Sequence, residues 1–284
     1  MNETQLRTRL AQDRNLIERA LQEALRTAPG VPRRLNDAMR YAVLGPGKRL
    51  RPILCLEAFR AAAGYPDRAV LPFCCGIEFI HAFSLVHDDL PSMDDDDFRR
   101  GRPSLHRRFD EATAILAADA LFARAFELLT RTRVRAEFVL GAIGLVCRAV
   151  GPAGMTGGQI MDMADKSRKQ TSRQRTALVH RQKTAQFIAA ALESGALLAG
   201  ASRSVCTALR RAGLELGELF QITDDLLDAG TDSQDRKPIS ARQRTALQYR
   251  ATVKAMLAEK TFSQLGLRYY FLAGLPRLIL HRSS

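Results

Sequence analysis

Two groups of aspartates carry the residue types from which a metal site could be built. The first follows an apolar run with helical spacing at 77–86 and contains Asp88, Asp89 and Asp94. Pro91 cannot continue a helix, so we expect the backbone to bend there and to bring Asp94 back toward Asp88. Mg²⁺ usually binds through one or two carboxylates together with substrate phosphates. The first group therefore predicts an Mg²⁺ and phosphate site at the end of a buried helix.

The second group lies in the stretch FQITDDLLD at 220–228. Asp224 and Asp228 are four residues apart and share a helix face, with Asp225 beside them. Burying three carboxylates among leucines without cations would cost several kcal/mol for each charge. Either group alone is also consistent with a solvated acidic patch, but the two together favour a pair of metal-binding faces.

Basic residues accompany the aspartates. Arg99 and Arg100 follow the first group in RRGRP, and a guanidinium fork matches the oxygens of a phosphate. A Gly/Pro break at 42–52 separates two helical patterns and carries Lys48, Arg49 and Arg51. Exposed glycine N–H groups and these side chains predict a phosphate clamp, although a basic surface turn has the same composition.

Several motifs taken together resemble the trans-isoprenyl diphosphate synthases, the polyprenyl synthetase family. They are DDxxxxD followed by RRGRP, FQxxDDxxD, GKRLRP at 47–52, His81 in IHAFSLVHDD, GGQIMD at 157–162, and Lys183 with Thr184 in HRQKT. The motifs keep the family's order over roughly positions 30 to 230, which single short motifs would not do by chance. The resemblance implies an all-α fold, a single isoprenoid-synthase-type helical bundle around a central cavity, with both acidic motifs at its mouth.

The resemblance also implies a role for individual residues. Three Mg²⁺ ions would be held by Asp88, Asp89, Asp94, Asp224 and Asp228. The allylic diphosphate would be held by Arg99, Lys183, Thr184 and Gln221, and isopentenyl diphosphate by Lys48, Arg51, His81 and Arg100. The residues implied in catalysis are Asp88, Asp89, Asp94, Arg99, Lys183, Asp224 and Asp225. The implied reaction ionises the allylic diphosphate and joins it head to tail to isopentenyl diphosphate.

Product length in this family depends on the depth of an apolar tunnel below the first motif. Phe83 lies five residues before Asp88, and an aromatic there, with two extra residues inside the motif, looks like bacterial farnesyl diphosphate synthases. Ser84 beside it is small, and Gly76 could leave room lower down. We therefore expect a farnesyl product and keep a geranylgeranyl product as the alternative.

Length and composition suit one large helical core in a soluble chain. The 284 residues are 46% apolar, so we expect a single domain over 1–284. The charged start lacks a secretory signal pattern, and the apolar run 138–150 is too short for a membrane span and contains Arg148. Five cysteines without CxxC spacing suit a reducing compartment, and we expect a cytoplasmic protein. A homodimer is implied by the resemblance alone.

The segment 237–284 departs from the family pattern. It holds nine Lys or Arg and one acidic residue, a net +8 of the chain's +13. Lys237 could take the place of a family lysine that binds substrate, but Arg236 stands where the family has glycine. The departure from the family pattern could loosen the lid over the allylic diphosphate. It could even make the protein a catalytically silent subunit. Nucleic-acid binding is not expected, because no nucleic-acid module is recognisable; a terpene cyclase remains an alternative that isopentenyl diphosphate consumption would exclude.

Overall fold

The computed structural model describes residues 2–27, 29–62, 66–166, 173–228 and 240–281. Within these ranges the chain is built from thirteen α-helices, which confirms the all-α expectation. The helices are α1 Glu3–Ala24, α2 Arg33–Val43, α3 Leu50–Ala62, α4 Leu71–Asp88, α5 Leu105–Arg108, α6 Glu111–Thr130, α7 Ala136–Val150, α8 Met155–Lys166, α9 Arg173–His180, α10 Gln186–Leu198, α11 Arg203–Asp228, α12 Ala241–Gln264 and α13 Tyr270–Leu280. Short turns of 3₁₀-helix lie at Asp67–Ala69 and Leu267–Tyr269, and a π-helical turn lies at Arg181–Ala185.

Helices α4 and α10 are the most buried elements of the bundle. Ten consecutive or near-consecutive positions of α4 between Phe73 and Val86 are buried, and α10 is buried over most of its length. Helix α4 packs against α3 and α6, while α10 packs against α3, α7 and α11. A helix that is apolar on nearly all sides belongs in the centre of a protein. The two central helices therefore fix the positions of the polar residues at their ends.

Small residues bring α10 and α11 unusually close together. A Cβ on Gly213 would lie 2.5 Å from the Cα of Ala189, and one on Gly217 would lie 2.4 Å from the Cα of Ala185. The two glycines and the two alanines are each four residues apart, so each pair lies on one helix face. This contact fixes the position of the turn 181–185 along the axis of α11.

A short β-hairpin is a feature of the described residues that helical patterning did not predict. It pairs β1 (Phe98–Arg99) with β2 (Arg102–Pro103) in antiparallel register. Arg100 and Gly101, with φ of 54° and 74°, form the two-residue loop. Two central residues with positive φ are the signature of the turn whose twist matches paired strands.

Two helices occupy most of the segment that departs from the family pattern. Helix α12 packs along α11, and α13 packs on α12 and on α1. Ser240 caps α12 through the backbone N–H of Gln243, and Phe262 is fully buried in the common core. Lys237, for which substrate binding was expected, lies outside the described residues.

One stretch in the described ranges, 136–165, is long and apolar enough to be compared with a membrane span. It is two helices, α7 and α8, because the chain breaks at Gly151–Gly154, and only 39% of its most apolar window is buried. Neither helix alone reaches the roughly 20 residues that a bilayer requires. Length and composition therefore give only weak support for membrane insertion here.

Candidate active site

The first aspartate group begins where α4 ends. Asp88 is the last residue of the helix, and Asp89 caps it. The chain then turns through Pro91, and the backbone N–H of Asp94 donates to the carbonyl oxygen of Asp88 at 2.9 Å. The expected bend is present, and it places Asp94 beside Asp88 although the two are six residues apart.

Asp88 lies among charges of both signs. Burial raises its pKa to about 6, and the negative charges of Asp94 and Asp89 act in the same direction. The positive charges of Lys183 and Arg99 oppose this effect. A half-buried carboxylate beside other carboxylates favours a bound cation, because a cation relieves both the desolvation and the repulsion.

Asp89 has a different environment from its neighbour. It is buried, and its Oδ1 accepts from Nε of Arg99 at 2.8 Å and also from Nη2 of the same side chain. Arg99 donates in addition to Asp96 at 2.7 Å. Asp89 therefore holds the arginine in place, so that its charge faces Asp88 from a fixed direction.

The two arginines of the hairpin point to different parts of the site. Arg100 donates from Nη1 to the carbonyl oxygen of Pro46 at 2.7 Å, which ties the hairpin loop to the Gly/Pro break. Burial, together with the positive charges of Arg49 and Arg99, lowers the pKa of Arg100. Like-charged guanidinium groups kept close together form a natural site for a polyanion such as a diphosphate.

Arg51 and His81 form a second pair of site residues, in which Arg51 carries the charge. Nη1 of Arg51 lies 3.3 Å from Nε2 of His81, and its guanidinium carbon lies 5.5 Å from the ring centre of Phe187. Burial lowers the pKa of Arg51 to about 10, with the negative charges of Glu78 and Asp224 opposing the shift. Burial and the surrounding arginines lower the pKa of His81 well below its usual value, so this histidine is neutral at pH 7.

Arg49 is not part of the predicted clamp. Only 4% of it is exposed, and it donates to Glu18 at 2.7 Å, to Glu78 at 2.8 Å and to the carbonyl oxygen of Gly45 at 2.6 Å. Its φ of 50° is unusual for a residue with a side chain. The expectation that Arg49 faces a phosphate is wrong, because two glutamates from α1 and α4 bury its charge.

Lys48, the neighbour of Arg49, lines a cavity of about 350 Å³ on the other side of the break. The remaining wall comes from α1, α3, α11 and α13, and includes Phe220 and Leu278. Phe220 opens the second aspartate motif, so Lys48 shares this cavity with the first residue of that motif.

Lys183 and Thr184 lie in the π-helical turn that precedes α10. The ammonium of Lys183 donates to Asp162 at 2.7 Å, and Thr184 donates to Oε1 of Gln221 at 3.2 Å. A single π turn displaces side chains from regular helical positions and is frequent at functional sites. The backbone approaches Gly158 so closely that a Cβ there would lie 2.4 Å from the N atom of Lys183. The glycine of GGQIMD therefore permits this contact.

The second aspartate group ends α11. Gln221 donates from Nε2 to Oδ1 of Asp225 at 3.2 Å, and Nε2 of His180 lies 3.8 Å from Oδ2 of the same carboxylate. Asp224 acts on Arg51 through its negative charge. Asp228 is the last residue of α11, but its side chain lies outside the described part of the chain. Lys183 acts on Asp88 through its charge, and its neighbour Thr184 donates to Gln221, so the two motifs lie at one end of the bundle.

Aromatic rings contact one another below the first motif in tilted and edge-on arrangements. The ring of Phe83 lies 4.6 Å from His87 and 4.7 Å from Phe122, and Phe122 lies 5.1 Å from Phe126. Helices α4 and α6 run antiparallel here, so the three phenylalanines descend from the level of Asp88 into the bundle. The hydroxyl of Ser84 donates to the carbonyl oxygen of His81 at 2.9 Å and is satisfied within its own helix.

The carboxylates fit Mg²⁺ by their chemistry, although they do not form a closed cage. In the described residues no three Asp, Glu, His or Cys side chains are close enough to hold an ion without help. Mg²⁺ rarely needs such a cage, because it usually binds one or two carboxylates, several waters and the phosphates of a substrate. The raised pKa of Asp88 beside Asp94 is the observation that favours a cation at this point.

Asp162 is a site residue that sequence reasoning placed in a motif without giving it a role. Its carboxylate holds Lys183, from 21 positions away in the chain. The signal that could have identified it is the spacing in GGQIMD, which puts Gln159 and Asp162 on one helix face. Both amide atoms of Gln159 are buried without a hydrogen-bond partner.

The chain is similar to known proteins over most of its length. Residues 32–262 match the polyprenyl synthetase family model. The chain is 39% identical to a farnesyl diphosphate synthase of Geobacillus stearothermophilus over 88% of this chain and 83% of that protein. It is 41% identical to a dimethylallyltranstransferase of Fischerella ambigua, covering 77% of this chain but only 63% of the relative's length. A crystal structure of an FPP/GFPP synthase from Zymomonas mobilis superposes with a TM-score of 0.87 at 34% identity, covering 98% of this chain and 99% of that one.

The family match covers most of the elements described above. It extends from the start of α2 to near the end of α12, so it includes the Gly/Pro break, both aspartate motifs and the turn that carries Lys183. It also includes α12, which lies in the segment that looked atypical from its sequence. On these grounds the chain belongs to the polyprenyl synthetase family.

Proposed function

We propose that the protein is a short-chain trans-prenyltransferase that condenses isopentenyl diphosphate with allylic diphosphates. The observation that carries the proposal is that both aspartate motifs and two separate sets of cations meet at one end of the bundle. Arg99 and Lys183 act on Asp88 through their charges, while Arg51 lies beside His81 and close enough to Arg100 and Asp224 for their charges to shift its pKa. Two sets of cations suit two diphosphate substrates, and a terpene cyclase would need only one.

The first step is ionisation of the allylic substrate. Arg99, fixed by Asp89, and Lys183, fixed by Asp162, supply positive charge where the leaving diphosphate gains negative charge. Thr184 and Gln221 complete this side of the site. Asp88, Asp89, Asp94, Asp224 and Asp228 would hold Mg²⁺, in a set of three ions. When bound, the metal neutralises the diphosphate and makes it a better leaving group.

The second step is carbon–carbon bond formation. Lys48, Arg51, His81 and Arg100 hold isopentenyl diphosphate so that its double bond faces the allylic cation. Holding both reactants in this geometry converts a bimolecular step into an effectively unimolecular one. Loss of a proton to the released diphosphate then gives a chain that is longer by five carbons.

The product proposed is farnesyl diphosphate. The centres of the Phe83 and Phe122 rings lie 4.7 Å apart below the first motif, where the two side chains would stop a growing chain. Geranylgeranyl diphosphate is the second candidate, but Gly76 does not supply the room for it: a Cβ there would lie 2.6 Å from the side chain of Leu129 and 2.9 Å from the carbonyl oxygen of Ala125, so α4 and α6 are tightly packed at this glycine. Relatives of both kinds are similar to this chain.

A homodimer in the cytoplasm is part of the proposal. Helices α6 and α7 expose large apolar side chains, namely Leu116 at 62%, Ile115 at 42% and Leu140 at 71%. An apolar surface of this kind suits a second copy of the chain. The five free cysteines suit a reducing compartment.

Three substitutions test the proposal. Asp88→Asn and Asp224→Asn should each lower kcat by about a hundredfold or more with dimethylallyl or geranyl diphosphate, since each removes charge from the ionising site. Asp95→Asn is the matched control, because Asp95 is exposed in the same acidic run and its left-handed φ of 51° suits asparagine. An equal loss of activity in Asp95→Asn would contradict the proposal.

A further inference from the structure

The hairpin that carries Arg99 and Arg100 is too small to hold its own shape. Each strand has two residues, and the loop places Arg100 at a positive φ. An isolated two-stranded hairpin is marginal in water even when it is longer. Contacts with the rest of the molecule must therefore fix its orientation.

One such contact joins the second strand to α2. The guanidinium carbon of Arg102 lies 3.9 Å from the ring centre of Tyr41, and the hydroxyl of Tyr41 donates to the carbonyl oxygen of Pro103 at 2.8 Å. The same tyrosine ring meets Phe109 edge-on at 6.0 Å between centres. Tyr41 thus contacts both residues of β2 through two different interactions.

The Gly/Pro break approaches the same arginine. A Cβ on Gly45 would lie 3.0 Å from Nη1 of Arg102, so the glycine leaves room for the guanidinium. Residues from the break, from α2 and from the hairpin line a small shared pocket that also contains Arg99 and Arg100. A change in the position of Arg102 would therefore alter the packing of both the hairpin and the Gly/Pro break.

The hairpin register transmits this contact to the arginines of the site. Arg102 pairs with Arg99 across the two strands, and Pro103 pairs with Phe98. Because the loop contains only two residues, a rotation of β2 moves β1 and Arg100 with it. Arg99 can reach Asp89, and Arg100 can reach Pro46, only in one orientation of the hairpin.

We propose that Tyr41 and Arg102 are positioning residues, a stacked pair that orients the hairpin so that Arg99 and Arg100 meet the two diphosphates. The inference rests on the proposed function, which assigns one diphosphate to each of those arginines. Arg102 acts through the tyrosine ring and does not touch substrate. The pair therefore acts mainly on the affinity for both substrates, and it affects ionisation only through the placement of Arg99.

Steady-state kinetics with each diphosphate varied in turn test this role. Tyr41→Leu and Arg102→Met should raise KM for both substrates by about threefold to tenfold, as loss of a partly desolvated cation–π contact predicts, with a smaller effect on kcat. Tyr41→Phe keeps the ring and should change KM less than Tyr41→Leu. Arg102→Lys keeps a charge over the ring and should restore part of the affinity.

A matched control removes the same kind of contact elsewhere. The guanidinium of Arg135 lies 4.6 Å from the ring centre of Phe138 at the start of α7. Arg135→Met should leave both KM values unchanged. The double variant of Tyr41→Leu with Arg102→Met should be no worse than either single variant, because the two residues act as one unit.

Three results would overturn the inference. They are unchanged KM values in Tyr41→Leu, a rise confined to Arg102→Met that points to direct substrate contact, and equal effects in the Arg135→Met control. Inactivity of the unmodified protein would refute the proposed function and not this inference. Calorimetric binding of inorganic pyrophosphate to Tyr41→Leu and the unmodified protein would then decide it, with weaker binding supporting the pair and equal binding refuting it.

Discussion

Replacement of Phe83 by alanine should lengthen the product by one five-carbon unit. The substitution removes the six ring carbons, roughly the space of one isoprene unit, provided that the neighbouring helices do not collapse into the gap. Phe122 stays in place, since it is also supported by Phe126 at 5.1 Å. The expected product of Phe83→Ala is therefore the twenty-carbon diphosphate.

The same structure predicts what the other rings do. Phe122→Ala alone should leave a fifteen-carbon product, because Phe83 still blocks the path above it. The double variant should add a second unit and give twenty-five carbons. Phe126→Ala lies furthest from Asp88 and serves as the control that removes an aromatic ring from the same stack without changing the product.

The stability cost of Phe83→Ala is modest. The side chain is half-buried, so about 2 kcal/mol should be lost, less than for a fully buried phenylalanine. A loss of that size lowers Tm by roughly 3 to 4 °C in a protein of this size. Thermal unfolding should therefore show a folded variant at the temperature of the assay.

The assay is extension of geranyl diphosphate by isopentenyl diphosphate, with product chains separated by chromatography. A folded Phe83→Ala protein that still stops at fifteen carbons would refute the proposal that Phe83 ends the growth of the product chain. The same conclusion would follow if Phe126→Ala lengthened the product as much as Phe83→Ala does.

Three further predictions concern stability and metal dependence. Arg49→Met should destabilise the fold by about 3–5 kcal/mol in urea unfolding, because it leaves Glu78 buried without its cation. The double variant Arg49→Met with Glu78→Leu should recover most of that loss. Equal stabilities of the single and double variants would contradict this prediction. Asp13 lies buried beside Arg60, and burial raises its pKa from 3.8 to about 6. The folded state therefore binds this proton more tightly than the unfolded state does. The contribution of the carboxyl to stability falls as the pH rises from about 4 to about 6. Asp13→Asn should remove this dependence, gaining on the order of 2 kcal/mol relative to the unmodified protein between pH 4 and pH 7, and a constant difference in unfolding free energy across that range would refute it. Chelation of divalent cations should abolish turnover while leaving circular dichroism unchanged, and added Mg²⁺ should restore turnover; activity that survives chelation would contradict the assignment of the aspartates.

Local chemistry predicted the parts of the site that depend on neighbouring residues. The apolar spacing at 77–86 and Pro91 together predict a helix that ends at the first aspartates and then bends, as the backbone contact between Asp94 and Asp88 shows. The all-α fold follows in the same way from long helical patterns without strand alternation.

Contacts between distant residues were beyond the reach of those arguments. Arg49 and Lys48 are neighbours in the same Gly/Pro break, so their local sequence does not distinguish them. Arg49 is buried because it pairs with Glu18 and Glu78, which lie about thirty positions away on either side. The hairpin at 98–103 depends on positive φ at Arg100, which its residue type does not favour. The π turn at Lys183 follows from the close approach of Gly158, which no local pattern encodes.

The most direct measurement is incubation of the purified protein with Mg²⁺, isopentenyl diphosphate and, in separate reactions, dimethylallyl, geranyl and farnesyl diphosphates. The account predicts consumption of isopentenyl diphosphate with the first two primers and accumulation of a fifteen-carbon product. Failure of a folded protein to extend any of the three primers would contradict it.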